Sequence, residues 1–154
     1  MMNFFKKDEI ISTYTRAQAI KDGVLVDITN TSVEAGIKHP VALTNRVWSE
    51  LIVPVKVLRE RYGQSEEGRL WDVVWMLRSA IIGTVRPVMR YHEGMYDIIH
   101  FQLYARMLVK KQKIVKGKVI HYKRQEQKLI TLKASCGPGD NFEPVITVMM
   151  PDED

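Results

Sequence analysis

Helical spacing of apolar positions is clearest between Ser65 and Ile82. There Leu70, Val73, Val74, Leu77 and Ile81 fall at i, i+3, i+4, i+7 and i+11, with Trp71 and Trp75 beside the stripe. Ser65, Glu66 and Glu67 suit the start of that helix and Gly83 its end. A shorter helix is predicted over residues 12–22, opened by hydroxyl side chains and closed by Gly23. VLVDIT after Gly23 reads as a strand, and Asn30 to Ser32 as a turn or the cap of a further helical turn ending near Gly36. Pro40 opens a new element. From about Thr44, Val47, Trp48, Leu51 and Ile52 share one helical face, and Pro54 ends or kinks that helix.

Beyond Pro87 the period shifts to two. Residues 88–109 read as two strands around Glu93-Gly94, the second with Ile99, Phe101 and Leu103 on one face and His100, Gln102 and Tyr104 on the other. KKQKIVKGKVIHYKR reads as a second hairpin around Lys116-Gly117, and LITLKASC and PVITVMM as two more strands joined by the turn residues of GPGDNFE. The expectation is one α+β domain over residues 1–154. An antiparallel meander with a basic hairpin packs on two to four helices, with residues 1–10 loose and 106–128 a hairpin insertion.

Composition agrees with a single folded domain. Of 154 residues, 45% are hydrophobic and 27% charged, which excludes a disordered tail, a collagen-like fibre and a coiled coil. A chain of this length holds its core without metal or disulfide. Cys136 is the only cysteine, and Lys6, Lys7, Asp8 and Glu9 stand where a secretory signal needs an apolar run, so a reducing cytoplasm is expected. The longest apolar stretch, Leu70 to Ile82, is broken by Asp72 and Arg78, so no membrane contact is expected.

Charge changes the picture more. Residues 106–128 hold nine Lys and Arg (Arg106, Lys110, Lys111, Lys113, Lys116, Lys118, Lys123, Arg124 and Lys128) against Glu126 alone, a net +8. The whole chain carries +5, so everything outside this segment is net acidic, at −3. A lysine-rich hairpin with His121 and Tyr122 near its end suits a phosphate backbone, and suits an acidic protein surface equally. The plain alternative is a solvated hairpin whose lysines prevent edge-to-edge sheet pairing.

Four blocks, YTRAQAIKDGVLVDIT at 14–29, HPVALTNRVW at 39–48, GRLWDVVWM at 68–76 and LITLKASCGPGDNFEPVITVMMPDED at 129–154, together with FQLY at 101–104, carry a resemblance. The sequence is similar to a family of small, uncharacterised proteins, a domain of unknown function, found on bacterial plasmids and phages. The resemblance covers about half the chain and implies an accessory protein of a mobile element. It implies no activity, cofactor or catalytic residue. Between Ala105 and Lys128 this chain departs from the family pattern, whose relatives make a shorter connection, so the basic ribbon is a specialisation of this protein.

Other constellations have weaker claims. The GPGD turn, Gly137 to Asp140, has the glycines of an anion nest but lacks the Lys and Ser or Thr of a P-loop and joins two strands. Cys136 has His100 or His121 as conceivable bases, with nothing local to fix that geometry. His39, His92, His100 and His121 lack zinc-ligand spacing, so no metal and no cofactor is expected. Asp72, between Trp71 and Val73, is either partly buried and perturbed or salt-bridged to Arg16, Arg46 or Arg78. Tyr14, Arg16 and Gln18 lie close enough on a helix to face a groove lined by FQLY, and with Asp72, His100, Gln102, Tyr104 and Lys133 they are the candidates for a pocket. Trp48, Trp71 and Trp75 read as core, with any uncovered remainder favouring a homodimer or a protein partner.

These residues define three function classes. The first is a non-catalytic mobile-element protein that binds a host protein or nucleoprotein complex, an anti-CRISPR or other anti-defence inhibitor among them. The second is a nucleic-acid-binding accessory protein of plasmid or phage replication or transcription, holding phosphate through Lys110, Lys111, Lys113, Lys116, Lys118, Tyr122, Lys123 and Arg124. The third, a small enzyme, has no reaction class that follows from its residues, and the sequence leans away from it.

Overall fold

The computed structural model describes residues 14–154. Six strands form one open sheet in the order β1-β2-β6-β5-β4-β3. They are β1 (Leu25–Asp27), β2 (Val41–Thr44), β3 (Met89–Glu93), β4 (Tyr96–Val115), β5 (Lys118–Pro138) and β6 (Pro144–Met149). Every neighbouring pair is antiparallel except β2 and β6, which run parallel with Ala42 opposite Thr147. Among the described residues there are five helices: α1 (Arg16–Lys21), α2 (Thr29–Glu34), α3 (Asn45–Val47), α4 (Lys56–Tyr62) and α5 (Glu66–Ile82). The class is α+β, as the alternation of periods predicts.

Local chemistry explains the helix ends. Thr15 and Gln18 form a reciprocal capping box at the start of α1. Ser65 Oγ accepts from the Gly68 N–H at 3.0 Å to cap α5, and Gly83, at φ 83°, closes it in the left-handed region. The predicted helix through Thr44–Ile52 is α3 followed by a wider π turn at Trp48–Ile52, which buries both Leu51 and Ile52. Helix α4 was not anticipated, because Pro54 and the Arg and Glu of KVLRERY hide a single buried residue, Leu58.

Two predictions about the sheet need correcting. The strand after Gly23 is only three residues long; the further helical turn expected after it, ending near Gly36, is α2. More important, the basic hairpin and the strands on either side of it are not separate elements. Strand β4 runs unbroken for 20 residues and β5 for 21, paired from Asp97 opposite Cys136 to Val115 opposite Lys118. The alternation never breaks between them, so residues 106–128 lengthen two strands instead of adding two. Sequence inspection also missed β2. VALT is a short continuous apolar run, fully buried at Val41, Ala42 and Leu43, which is the pattern of a central strand flanked on both sides.

The core lies between the sheet and α5. Val73, Val74 and Leu77 of the helix meet Leu43, Phe101, Leu132 and Val148 of the sheet, with Val47, Leu51 and Ile52 at one end. Trp48 and Trp71 pack against this core, whereas Trp75 is half exposed under the Arg78 guanidinium, 5.0 Å from its ring centre. No described helix is long and apolar enough to cross a membrane.

Candidate functional site

The flanking strands end before the hairpin does. Strand β3 last pairs with β4 at His100, and β6 reaches only Lys133 of β5. Beyond these points, among the described residues, β4 and β5 pair only with each other, with α5 and α4 against the root. Arg106 fixes that root: its guanidinium lies 5.5 Å from the ring centre of Tyr62 in α4 and donates to Gln125 Oε1 at 2.7 Å. From Lys110 the ribbon is exposed almost throughout, and six residues of β4 at about 3.3 Å each carry its tip about 20 Å further. Lys116 and Gly117, at φ 50° and 76°, make a two-residue turn in which both residues are left-handed, the geometry whose twist matches the strands.

Register sorts the ribbon's side chains. One face carries the cross-strand pairs Lys110–Lys123, Gln112–His121 and Ile114–Val119. The other carries Val109–Arg124, Lys111–Tyr122, Lys113–Ile120 and Val115–Lys118. Lys111 reaches Glu126 at 3.0 Å, and Lys113 stands 5.4 Å from the Tyr122 ring centre. The sequence-predicted set Lys110, Lys111, Lys113, Lys116, Lys118, Tyr122, Lys123 and Arg124 therefore does converge on one element, but distributed over both faces of it. Lysines directly opposite one another weaken a strand pair, so Lys110 and Lys123 do not serve the ribbon's own stability.

The eight candidate pocket residues are not gathered into one cavity. The Tyr14 hydroxyl donates to Asp22 at 2.7 Å, an arrangement that raises the phenol's pKa, and Gln18 serves the capping box. Arg16 is a clamp: it donates to Thr147 Oγ1 at 2.6 Å and to the Ile146 carbonyl at 2.8 Å, and its burial lowers the guanidinium pKa. Gln102 donates to Thr131 across the sheet, and the Lys133 ammonium holds the Glu153 carbonyl. His100 lies beside the Tyr91 hydroxyl at 3.3 Å, with burial first and Lys133 second lowering its pKa. Two pairs do come together: His100 and Lys133 are cross-strand partners, and Asp72 and Tyr104 share an open cavity of about 460 Å³ beside Trp71 and Trp75.

Asp72 makes none of the salt bridges expected with Arg16, Arg46 or Arg78. Burial raises its pKa, and the cation opposing that rise is Arg69, one helical turn earlier. Arg69 is the polar residue that sequence inspection overlooked. Only 5% exposed, it donates to the Leu51 carbonyl at the end of the π turn, at 2.8 Å, and to the Arg106 carbonyl at the ribbon's root. Its signal was present: Arg69 lies one turn before Val73 on the inward stripe of α5.

The GPGD segment is structural, and its first two residues, Gly137 and Pro138, belong to β5, so the turn begins at Gly139. A Cβ at Gly137 would overlap the Tyr96 ring, and one at Gly139 would overlap the Glu143 carboxylate. Asp140 accepts from the Arg16 and Ala17 N–H groups at 2.8 and 3.0 Å, so the turn caps α1 from across the fold. Replacing Asp140 with Ala is expected to cost about 1 kcal/mol, read as a Tm lower by about 2–4 °C in a thermal melt; an unchanged Tm would refute this cap. Cys136 is half-buried on the helix side of the sheet, and burial with nearby Asp97 pushes its thiol pKa up, the opposite of an activated nucleophile. Among the described residues no three His, Cys, Asp or Glu side chains are grouped to hold a metal ion.

Polar side chains thus tie the first two sequence blocks, 14–29 and 39–48, to the last, 129–154. Arg16 reaches β6, Asp140 reaches α1, Arg46 holds Asp152 at 2.8 Å, and Thr44 donates to Glu153 at 2.8 Å. What stands outside this clasp is the ribbon, and the molecule is a small α+β protein built to present a basic two-stranded arm. The chain belongs to a family of unknown function, DUF6573, whose model matches residues 1–154. No curated protein matches it, and no solved structure does.

Proposed function

We propose that this protein acts by non-catalytic binding to a nucleic acid or nucleoprotein complex, with the β4–β5 ribbon as the binding element. The observation that supports it is the exposed Lys110–Lys123 pair on an arm of net +8, projecting from a body that is net acidic. Opposed lysines cost the free ribbon stability, and phosphates on a partner relieve that repulsion while releasing counterions. Several polar residues of the body, Arg16, Gln102, Lys133 and Asp140 among them, already have partners within the fold, which supports the ribbon over the body as the binding element. Contacts made by such an arm are mainly to phosphate and carry little base specificity.

An accessory role for a phage or plasmid, inhibition of a host defence complex included, extends the same proposal. It is supported by the resemblance of the four blocks, and the single cysteine supports a cytoplasmic setting. The test is the full chain carrying Lys111→Glu, Lys113→Glu, Lys116→Glu and Lys118→Glu, titrated against a fluorescent duplex by anisotropy. Affinity is expected to fall at least about 100-fold with the melting temperature lowered by no more than about 2–4 °C, since of the four lysines only Lys111 has an ion-pair partner, Glu126, and a surface pair contributes about 1 kcal/mol or less. Retained affinity would remove the ribbon from the binding surface.

A further inference from the structure

We propose that the tip of the ribbon is an apolar wedge that enters duplex DNA between base steps and bends it; this rests on the nucleic-acid reading above and deepens it. Four large β-branched side chains surround the turn: Ile114 is 75% exposed, Val119 57%, Ile120 41% and Val115 39%. Ile114 and Val119 are direct cross-strand partners, so they form one continuous apolar surface, with no third strand beside it among the described residues. Lys113, Lys116 and Lys118 border these four, which places cations where phosphates flank an opened step.

The chemistry of the tip selects among polyanions. Unpaired bases are held by aromatic platforms, whereas the four residues at the tip are aliphatic and Tyr122 is set back opposite Lys111, with the Lys113 ammonium near its ring. Branched aliphatic side chains are instead the kind that wedge into a stack and kink a duplex. Lysines occupy both faces of the ribbon: Lys110 and Lys123 on one, Lys111, Lys113 and Lys118 on the other. A flat acidic surface meets one face, whereas a ribbon lying in a groove has a phosphate wall on each side. A bilayer is disfavoured by the same residues, because Lys116 at the turn itself would have to enter the hydrocarbon first.

The test uses the full chain and a duplex of about 30 base pairs with a donor and an acceptor dye at its two ends. Binding by the natural sequence is expected to raise energy transfer, reporting a bend of between about 20 and 90°. The double variant Ile114→Thr, Val119→Thr keeps β-branching and strand preference at exposed positions, so the ribbon stays formed, as a circular dichroism melt verifies. It is expected to bind within about threefold of the natural affinity, its phosphate contacts being intact, while transfer remains at the level of free DNA. Binding without any change in transfer, or equal bending by the variant, would overturn the wedge and leave the phosphate-binding arm standing. Failure of the natural sequence to bind DNA would overturn both, as would binding to vesicles of anionic lipid in place of DNA.

Discussion

Affinity of the full chain for a random-sequence duplex is expected to fall about 10³-fold between 50 and 200 mM salt. Nine cations lie between Arg106 and Lys128, but not all are free to meet phosphate. Arg106 is held at the root by Gln125, Lys111 is paired with Glu126, and Lys128 lies opposite Ala105 beside the body. Lys110, Lys113, Lys116, Lys118, Lys123 and Arg124 remain, and six phosphate contacts correspond to a log–log slope of about −5. The same titration on the four-lysine variant is expected to give a much shallower slope, because three of the six contacts are then reversed in sign. A slope shallower than about −2 for the natural sequence would refute phosphate binding by the arm. Sequence-scrambled duplexes are expected to bind alike, since phosphate contacts carry no base information.

Arg69→Ala is expected to destabilise the fold by about 3 kcal/mol, the largest loss from any polar side chain of the protein. Two carbonyls depend on this guanidinium. The Leu51 carbonyl belongs to the last turn of a helix and has no intrahelical partner, and the Arg106 carbonyl lies where β4 has lost β3 beside it. Truncation leaves both facing the space the side chain vacated. For a chain of this size the loss is read as a Tm lower by about 6–12 °C in a calorimetric melt. Arg69→Lys is expected to recover less than half, because one ammonium cannot reach two carbonyls on different elements as a fork does. A loss below about 1 kcal/mol for Arg69→Ala would show that water replaces the guanidinium at both carbonyls. Lys110→Ala, on the exposed arm, is the control and is expected to lie within about 0.5 kcal/mol of the natural sequence.

How far the sequence could be read depended on whether the information was local. Helix α5 was legible from Ser65 to Gly83 because capping, acidic first turn, apolar stripe and left-handed glycine all belong to one contiguous stretch. The Lys116-Gly117 turn was legible for the same reason. Strand β2 was not, because three apolar residues before a helix have no period of their own, and their meaning comes from β6, about a hundred residues later in the chain. Arg69 was read past because a guanidinium in a helix is ordinarily solvated, and only the ends of two other elements give it carbonyls to hold.

Sequence alone determined the class of fold, the position of the charge and the residues that would form the arm, since periodicity and net charge are properties of the chain itself. Tertiary structure decided where β3 and β6 stop. That termination turns a pair of long strands into a free ribbon with Ile114 and Val119 at its end, while the β4–β5 register sets its lysines on two faces. The physical reason is that a strand's register and its neighbours are set by pairing across the sheet, and no residue within a strand records where its neighbour ends.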